Sequence, residues 1–322
     1  MKIILLTNRY QNKPLQIVQS EIPCGFQIRF LNEQTEHCLI ESISDADYLL
    51  AGGSFKVTRV VLESAKNLKM IQRSGVGLDA LDLETIKDKD IPLYVNHGVN
   101  AESVAEHTLL LILSCLRRLP IIEKNTKSGI WKKQEQGVQT RELYGKTVGI
   151  IGMGNIAMTL VSLLKPFHVN ILYYNLVRCS DEYERENNMK YVKLDDLLGC
   201  ADIISINCAL TDETRNLIDY STIDKMKDGS ILINTARGGI VNSQAVADAL
   251  NSGKLAFAGL DVHETEPIPD KYPLKNAENV ILTPHIGGVT EDSFRAMMKA
   301  AFRNIKMFDK GQLQEIRQYR YF

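Results

Sequence analysis

Short apolar runs alternate with helical patterns along the whole chain. In the first third, Val-, Ile- and Leu-rich runs predict strands at Ile3–Leu6, Ile28–Leu31, Tyr48–Ala51, Lys69–Gln72 and Leu93–Val95. Further along, the rhythm repeats and predicts strands at Val148–Ile151, Asn170–Tyr174, Ile203–Asn207, Ile231–Asn234, Phe257–Asp261 and Val280–Thr283. Continuous apolar strands separated by helices are typical of parallel sheets that are covered on both faces. Two such blocks therefore predict two doubly wound α/β domains.

The end of the chain has a different pattern, which predicts one long amphipathic helix. Thr290 is a suitable N-cap, and Glu291 and Asp292 place negative charge in the first turn. The residues that then recur at helical spacing are apolar: Phe294, Met297, Met298, Ala301, Ile305 and Phe308. Such a face needs a sheet to cover, and we expect it to cover the sheet of the first block.

This expectation makes the first domain discontinuous. Residues 1–98 and 288–322 would form that domain, and residues 99–287 would form a second domain inserted into it. A long helix predicted over about Ala101–Arg118 would lead from the first domain into the second.

The composition is that of an ordinary globular protein. The chain has 322 residues, of which 44% are apolar and 24% are charged, and this length is sufficient for two domains. Its net charge of −1 gives no electrostatic reason to expect nucleic acid or an anionic membrane as a partner. The most apolar stretch, Leu109–Leu116, is far shorter than the roughly 18 residues of a membrane span, so we expect a buried helix there.

The cysteines indicate neither a metal site nor a disulfide framework. They are scattered over the chain at Cys24, Cys38, Cys115, Cys179, Cys200 and Cys208. No Cys-x-x-Cys pair and no cluster of cysteine with histidine occurs in the sequence, so we predict no metal. Reduced and mostly buried thiols in a cytoplasmic protein are the expectation.

A glycine-rich turn follows the first strand of the second block. Gly152, Gly154 and Ala157 have the spacing G-x-G-x-x-A at the start of a predicted helix. The first glycine permits a tight turn, the second lets the backbone approach a pyrophosphate, and alanine still permits close packing of the helix on the strand. The backbone of Asn155 and Ile156, at the positive end of that helix, would bind the phosphates of a dinucleotide.

The next strand leaves the choice of dinucleotide open. An acidic residue about 20 positions after the turn normally accepts hydrogen bonds from the adenosine ribose, but this chain has Asn175 there. Asparagine removes the charge that would repel a 2′-phosphate, and Arg178 could attract one, so NAD and NADP both fit. Alternatively, Arg178 is a solvated charge in a loop.

Three residues that together can bind a carboxylate, hold an imidazole and move a proton follow predicted strands in the last third of the chain. Arg237 precedes Gly238 and Gly239, which let its guanidinium emerge at the carboxyl edge of a sheet, where open α/β folds bind ligands. Its planar fork suits a carboxylate, although a structural arginine that pairs with a local acid fits the spacing equally well. His285 can protonate a carbonyl oxygen as hydride reaches the carbon, and Glu266 would hold the imidazole and favour its protonated form.

Several segments together resemble the signatures of the D-isomer-specific 2-hydroxyacid dehydrogenase family. In chain order they are residues 75–79, 100–107, 233–241, 259–267 and 283–288. The resemblance covers nearly the whole chain, and the order of the motifs is highly specific. It implies a discontinuous, flavodoxin-like domain that binds the substrate, an inserted Rossmann domain that binds the cofactor, and a homodimer.

The resemblance also implies roles for individual residues. Arg237 would bind the substrate and polarise its carbonyl group, His285 would donate and accept the proton, and Glu266 would orient His285. Ala236 and Asp261 would contact the cofactor, with Asp261 near the nicotinamide amide. The substrate carboxylate would be held by the backbone around Ser74, Gly75 and Val76.

Two regions depart from the family pattern. Where the family usually has His-x-Pro, this chain has Asn207, Cys208 and Ala209, so the adenine end of the cofactor site, with Cys208 beside it, can differ in shape. A packed thiol is the expectation for Cys208, and a redox switch is the alternative. Phosphoglycerate dehydrogenases carry arginine in the loop that corresponds to residues 52–56, whereas here Ser54 is the candidate substrate contact and the loop has one basic residue. A small unphosphorylated 2-oxo acid is therefore the predicted substrate.

Two other functions remain open at this stage. Formate dehydrogenases resemble the family but pair their histidine with glutamine, so Glu266 favours hydroxy-acid chemistry. Nucleotide-sensing, corepressor-like scaffolds of the same fold can retain the catalytic residues, and the lack of long basic or disordered extensions argues against that function. Of the remaining polar residues, His263 and Glu264 are expected at the rim of the site, and His107 in packing or in an interface.

Overall fold

The structure is a computed structural model that describes residues 1–53 and 55–322. It divides into two units. The first unit comprises Met1–Asn100 and Val289–Phe322, and the second unit comprises Ala101–Gly288. Each unit contains a parallel sheet with helices on both faces, so the predicted class of two parallel-sheet α/β domains is confirmed.

The strands follow the chain in the order predicted. In the first unit they are β1 (Lys2–Leu6), β2 (Phe26–Phe30), β3 (Tyr48–Ala51), β4 (Met70–Arg73) and β5 (Leu93–Tyr94). In the second unit they are β6 (Thr147–Ile151), β7 (Asn170–Tyr174), β8 (Met189–Tyr191), β9 (Ile203–Ile206), β10 (Ser230–Asn234), β11 (Leu255–Leu260) and β12 (Val280–Leu282).

The helices lie mostly between successive strands. The first unit contains α1 (Asn12–Glu21), α2 (Glu36–Ile43), α3 (Arg59–Ser64) and α4 (Leu83–Asp88). The second unit contains α5 (Ala101–Leu116), α6 (Leu119–Lys127), α7 (Lys133–Gly137), α8 (Asn155–Leu164), α9 (Asp181–Glu186), α10 (Leu194–Cys200), α11 (Tyr220–Lys225) and α12 (Ser243–Ser252). The last α-helix of the first unit is α13 (Glu291–Asp309), and short 3-10 turns occupy Lys165–Phe167, Gly238–Ile240 and Leu313–Tyr319.

The sheet of the first unit has the order β2-β1-β3-β4-β5, and all neighbouring strands are parallel. Residues of α2, α3 and α4 pack on one face of this sheet, and residues of α1 and α13 pack on the other. The loops that follow β3 and β4 leave the same, carboxyl edge of the sheet. The loop after β4 carries Ser74, Gly75 and Val76, which are predicted to bind the substrate.

Helix α13 covers the sheet of the first unit, as the sequence predicted. Thr290 caps it, because its hydroxyl oxygen accepts a 3.0 Å hydrogen bond from the backbone N–H of Ser293. The apolar face of the helix packs against buried residues of β1, β3 and β4: it contributes Met297, Met298, Ala301, Phe302 and Ile305. Burial of this stripe ties the end of the chain to its first third.

The sheet of the second unit has the order β12-β11-β10-β9-β6-β7-β8, again with parallel neighbours. Helices α5 and α8 cover one face, and α10, α11 and α12 cover the other. After β8 the chain crosses to the other side of β6, so the switch in strand order falls between β6 and β9. In open α/β folds such a switch opens a crevice at the carboxyl ends of the strands.

Some boundaries differ from those predicted. Strand β8 was not predicted, because it has only three residues, Met189-Lys190-Tyr191, and the central one is charged, so they do not form an apolar run. The strand predicted at Ile28–Leu31 begins and ends earlier, at Phe26 and Phe30, because its register is set by pairing with β1. The apolar stretch 109–116 is a helix that is only partly buried, since Leu110 lies on its exposed side.

Candidate active site of the second unit

Most of the predicted cofactor and catalytic residues follow strands of the second sheet at its carboxyl edge. Across the sheet, from β12 to β7, the residues that follow the strands are His285, Asp261, Arg237, Cys208, Gly152 and Asn175. Neighbouring strands lie about 4.8 Å apart, so this line spans roughly 24 Å. The edge therefore presents an elongated row of groups, with acid–base residues at one end and the glycine turn towards the other.

Gly152 occupies a position that a side chain cannot take. Its φ is +93°, and a Cβ atom there would lie 2.5 Å from the backbone nitrogen of Cys208. The turn after β6 therefore runs directly against the backbone that follows β9. The prediction that the first glycine permits a tight turn is explained by this contact.

Gly154 begins α8 and faces open space. Among residues 1–53 and 55–322, and apart from the adjoining backbone, no heavy atom lies within 4 Å of the place where its Cβ atom would be, and none of these side chains caps the helix. The N–H groups of Asn155 and Ile156 lie in the first turn, where a helix offers no backbone acceptor. Small size, open space and unpaired amides at the positive end of a helix fit a pyrophosphate.

Asn175 connects the end of β7 to the glycine turn. Its Oδ1 atom accepts a 3.2 Å hydrogen bond from the backbone N–H of Met153, and its Nδ2 atom donates to the Val177 carbonyl at 2.8 Å. An aspartate here could have accepted from Met153 as well. Asparagine adds the donated bond to Val177, which fixes the start of the following loop.

Arg178 pairs with two carboxylates. Its Nε and Nη2 atoms each donate to Glu184 at 2.8 Å, and Nη2 also lies 3.1 Å from Asp181. The guanidinium of Arg178, helped by the hydroxyl of Tyr173, holds the pKa of Glu184 at about 2, so this carboxylate stays charged. The Arg178 side chain is 55% exposed, so it is a partly solvated charge that pairs with acidic residues of α9.

Cys208 carries a partly buried thiol. Burial raises its pKa to about 11, which leaves little reactive thiolate at neutral pH. Its partly buried side chain packs against the core under α10–α12. The expectation of a packed thiol is supported, and the alternative of a redox switch has no support in this environment.

Arg237 follows β10 in a turn that Asn234 braces. The buried Asn234 side chain accepts from the backbone N–H of Ala236 at 3.0 Å and donates to the Arg237 carbonyl at 2.9 Å. Beneath the turn, the hydroxyls of Thr235 and Thr108 lie 2.8 Å apart. Arg237 itself donates from Nη1 to the carbonyl of Ala236 at 2.7 Å.

The loop after β11 packs against the Arg237 turn at Gly238. A Cβ atom on Gly238 would lie 1.9 Å from the carbonyl carbon of His263, so only glycine fits there. The glycine predicted to release the Arg237 side chain thus also lets the loop that carries Glu266 approach β10.

Asp261 holds the loop that carries His285. Its buried carboxylate accepts from the Thr283 hydroxyl at 2.6 Å and from the backbone N–H groups of Ile286 and Gly287 at 2.9 and 2.8 Å. Burial alone would raise the pKa of Asp261, but these hydrogen bonds and His107, 3.5 Å away, lower it below its ordinary value. The Asp261 carbonyl also accepts from the His285 N–H at 2.7 Å.

Glu266 and His285 form a hydrogen-bonded pair. The Nδ1 atom of His285 lies 2.8 Å from Oε2 of Glu266, and the backbone N–H of His263 donates to Oε1 at 3.0 Å. Burial would raise the pKa of Glu266, but the two hydrogen bonds outweigh it, so the pKa lies below its usual range. The His285 side chain is 45% exposed, and its Nδ1 contact makes Nε2 the nitrogen available for proton exchange.

The substrate residues predicted in the first unit follow β4. The Ser74 N–H donates to the Ala51 carbonyl at 3.0 Å, and Asn96 donates from Nδ2 to the Ser74 carbonyl at 2.8 Å. No acceptor among residues 1–53 and 55–322 binds the N–H groups of Gly75 and Val76. Ser54, the predicted contact in the loop after β3, lies outside the described residues.

Three structural roles escaped the sequence analysis. His263 is buried, with 8% exposure, and does not lie at a rim. His107 reaches Thr283 from α5 at 3.1 Å, and buried Arg73 donates to the carbonyls of Ala51 and Gly77. For Arg73 and His263, a polar residue that ends or follows a buried strand was the available signal, whereas His107 lies within α5. The partners of all three come from distant segments.

The described residues contain neither a candidate metal site nor a candidate membrane-spanning helix. Among residues 1–53 and 55–322, no three or more His, Cys, Asp or Glu residues are grouped so as to hold a metal ion. In the same ranges, the helices are too short or too polar to cross a membrane.

Comparison with known proteins identifies the family. Residues 109–287 match the family model described as D-isomer specific 2-hydroxyacid dehydrogenase, NAD binding domain. The chain is 39% identical to glyoxylate reductase of Thermofilum pendens over 85% of this chain and 82% of that protein. It is also 39% identical to hydroxypyruvate reductase of Thermotoga maritima, over 80% and 83% of the two chains.

A solved structure agrees with these matches along the whole chain. D-lactate dehydrogenase from Aquifex aeolicus, solved with NAD and lactic acid, superposes with a TM-score of 0.86 at 29% identity, covering 99% of each chain. The fold and the sequence matches define an oxidoreductase with an NAD-binding Rossmann domain. The chain belongs to the D-isomer-specific 2-hydroxyacid dehydrogenase family, as its motifs indicated.

Proposed function

We propose that this protein reduces a small unphosphorylated 2-oxo acid to the D-2-hydroxy acid, reversibly and with NAD as the preferred cofactor. The observation that carries the proposal is the 2.8 Å contact between Nδ1 of His285 and Oε2 of Glu266, at the end of the row of cofactor residues. NADH bound along that row would supply the hydride. The residues of the chain would bind the substrate, orient it and move the proton.

His285 is the proposed proton donor. Glu266 accepts from Nδ1 and so orients the ring. Nε2 then carries the proton to the carbonyl oxygen as that oxygen gains negative charge. In the direction of oxidation, the same nitrogen takes the proton from the hydroxyl group.

Arg237 is the proposed group for substrate binding and carbonyl polarisation. The bracing by Asn234 and Thr235 holds its backbone, so the guanidinium can be presented at the sheet edge with little loss of entropy. The N–H groups of Gly75 and Val76, which lack acceptors among the described residues, are proposed to hold the substrate carboxylate together with Ser74.

The turns after β6, β7 and β9 are proposed to hold the cofactor. Gly152, Gly154, Asn155 and Ile156 fit the pyrophosphate, and Ala236 and Asp261 are proposed to lie towards the nicotinamide, with Cys208 near the adenine. Asn175 leaves its second Nδ2 hydrogen to interact with the adenosine ribose.

The pairing of Arg178 supports NAD over NADP. A 2′-phosphate would meet Arg178 together with Glu184 and Asp181, and the sum of these three charges is −1. To bind that phosphate, Arg178 would have to leave a bidentate pair, which costs the charge-assisted hydrogen bonds. The solved relatives include a D-lactate dehydrogenase and a formate dehydrogenase in complex with NAD.

The substrate class rests on the loop after β3 and on the relatives. Its described residues Gly52, Gly53, Phe55 and Lys56 include no arginine to bind a phosphate group. Relatives with 36–39% identity include glyoxylate and hydroxypyruvate reductases. A D-3-phosphoglycerate dehydrogenase of Methanocaldococcus jannaschii is 38% identical, but the match covers only 53% of that protein. Glyoxylate and hydroxypyruvate are therefore the first substrates to test.

Formate dehydrogenase is a less suitable proposal for this site. Formate oxidation releases carbon dioxide and leaves no alkoxide that a histidine must protonate, so a charged partner for the histidine has no evident use. Glu266 is ionised and bonded to His285, which suits transfer of a proton to a carbonyl oxygen.

The test is a panel of 2-oxo acids with NADH and with NADPH, monitored by loss of nicotinamide absorbance. We expect turnover of glyoxylate or hydroxypyruvate, a higher kcat/KM with NADH, and little oxidation of 3-phosphoglycerate. Formate with NAD serves as the competing substrate. Tight NADH binding without turnover of any 2-oxo acid would contradict the proposal and favour a nucleotide-sensing scaffold.

A further inference from the structure

Behind the Glu266–His285 pair lies a buried histidine with polar partners on both ring nitrogens. His263 follows β11, and its Nδ1 atom lies 3.2 Å from the hydroxyl of Tyr272. Its Nε2 atom lies 3.0 Å from the carbonyl oxygen of Thr283, and the Tyr272 hydroxyl lies 3.2 Å from that of Ser243. Tyr272 also packs edge-on against the imidazole, with 5.5 Å between ring centroids.

These partners determine where the protons lie on the neutral ring. A carbonyl oxygen can only accept, so Nε2 of His263 must carry a hydrogen and donate it to Thr283. Nδ1 then has no hydrogen and accepts from the Tyr272 hydroxyl, which leaves the Ser243 hydroxyl to donate to Tyr272. The result is a directed chain of three hydrogen bonds that ends on the backbone of Thr283.

Thr283 lies two residues before His285, and its carbonyl also accepts from the His285 N–H at 3.0 Å, so the chain ends beside the proton donor. At the same time, the backbone N–H of His263 donates to Oε1 of Glu266, whose other oxygen accepts from His285. One residue therefore holds both members of the pair, Glu266 through its backbone and the segment before His285 through its ring. The loops after β11 and β12 are fixed relative to each other at this point.

We propose that His263 is a positioning residue that keeps His285 and Glu266 in register for proton transfer. This proposal rests on the proposed function of the pair. A displacement of about 1 Å at reacting groups can cost about 100-fold in rate, so a hydrogen bond that prevents such a displacement affects kcat. Asp261 supports the loop after β12 independently of His263, because it accepts hydrogen bonds from the backbone of residues 285–287.

The test compares two substitutions of one residue. In His263→Phe the ring keeps its bulk but cannot donate to Thr283, and we expect kcat to fall by about 10- to 100-fold while KM for NADH stays near the wild-type value. In His263→Gln the Nε2 amide occupies a similar place and can donate to the Thr283 carbonyl. We therefore expect this variant to regain most of the lost kcat.

A control variant separates positioning from stability. Leu250→Ala in α12 removes buried apolar volume from the same unit, and we expect it to lower Tm without changing kcat or the pH profile. We expect His263→Phe, by contrast, to change the pH dependence of kcat as well, because the orientation of His285 relative to Glu266 is altered. An unchanged kcat and pH profile in folded His263→Phe would overturn the proposal.

A second measurement does not depend on turnover. In nitrogen-resolved NMR spectra of the six histidine rings, we expect the signal that disappears in His263→Phe to have the pattern of a neutral, Nε2-protonated imidazole. A neutral ring protonated at Nδ1 would contradict the directed chain. If the wild type reduces no 2-oxo acid while the tautomer is as expected, the proposed function fails and the arrangement around His263 stands.

Discussion

Nδ1 of His285 and Oε2 of Glu266 lie 2.8 Å apart, although the two residues come from loops after different strands. Asp261 and His263 stabilise the contact from the two sides. Asp261 accepts the backbone N–H of His285, and His263 donates its own backbone N–H to Glu266. The pair is therefore held by backbone hydrogen bonds on adjacent strand ends, and this arrangement leads to several predictions.

Replacement of Glu266 by glutamine removes the charge but keeps the shape. We expect kcat for 2-oxo acid reduction to fall by about 100-fold or more, within the range of general acid–base catalysis. Steady-state rates of the variant and the wild type would measure this effect.

The protonation of Glu266 should set the acid limb of the pH–rate profile of the wild-type protein. Its pKa is lowered, so the Glu266 carboxylate that orients His285 should persist at pH values above that lowered pKa and be lost only as pH falls through it. Glu264→Gln is the matched control, since Glu264 accepts from the backbone of Ser243 and not from His285. A similar loss in both variants would argue against a specific role for Glu266.

Arg237→Lys keeps the charge but loses the planar fork. We expect KM for the 2-oxo acid to rise and kcat to fall, with kcat/KM reduced by about 100-fold, because a hydrogen bond to a charged group contributes about 1.5–3 kcal/mol. Arg141→Lys is the control, because Arg141 bonds to Gly229 at the opposite, amino end of β10. If Arg237→Lys left KM unchanged, a purely structural role for Arg237 would be indicated.

Substitution by alanine should affect stability and NADH binding differently at the two glycines of the turn. Gly152→Ala places a Cβ atom at positive φ and 2.5 Å from the backbone of Cys208, so we expect a loss of at least about 1 kcal/mol in unfolding free energy. Gly154→Ala should change stability by less than about 0.5 kcal/mol but weaken NADH binding, since its Cβ faces the proposed pyrophosphate site. Thermal unfolding and fluorescence titration with NADH would distinguish them. Equal effects on stability would contradict the contact at Gly152.

Removal of the carboxylate that pairs with Arg178 should shift the cofactor preference towards NADPH. In Glu184→Gln the guanidinium loses its bidentate carboxylate, and we expect the ratio of kcat/KM for NADPH to that for NADH to rise by about 10-fold. Glu182→Gln removes a neighbouring charge on α9 and serves as the control. An unchanged ratio in Glu184→Gln, or a wild-type preference for NADPH, would rule out the pairing as the cause of NAD preference.

Cys208 should react slowly with alkylating reagents. Its pKa of about 11 and its partial burial leave little accessible thiolate at neutral pH, whereas Cys24 and Cys200 are exposed. Peptide mapping after timed treatment with iodoacetamide should therefore find Cys24 and Cys200 modified before Cys208. Modification of Cys208 at the rate of the exposed thiols would support the alternative that Cys208 is a redox switch.

The strand pattern and the glycine turn were predictable from the sequence because their causes are local. Apolar runs define β6, β9 and β10, and the G-x-G-x-x-A spacing indicates a turn that only glycine permits at Gly152. Strand β8 was missed because pairing with β7 stabilises it and its own residues carry no pattern. The homodimer and the cytoplasmic location stay predictions of the sequence.

The sequence by itself determined the α/β class, the family and the residue types for proton transfer, since periodicity, glycine spacing and motif order need no partners. Only the tertiary structure decided how polar groups pair. It joined His285 to Glu266, enclosed His263 between Tyr272 and Thr283, and engaged Arg178 with Glu184. A hydrogen bond or an ion pair depends on distances of about 3 Å between segments far apart in the chain, and sequence spacing does not specify those distances.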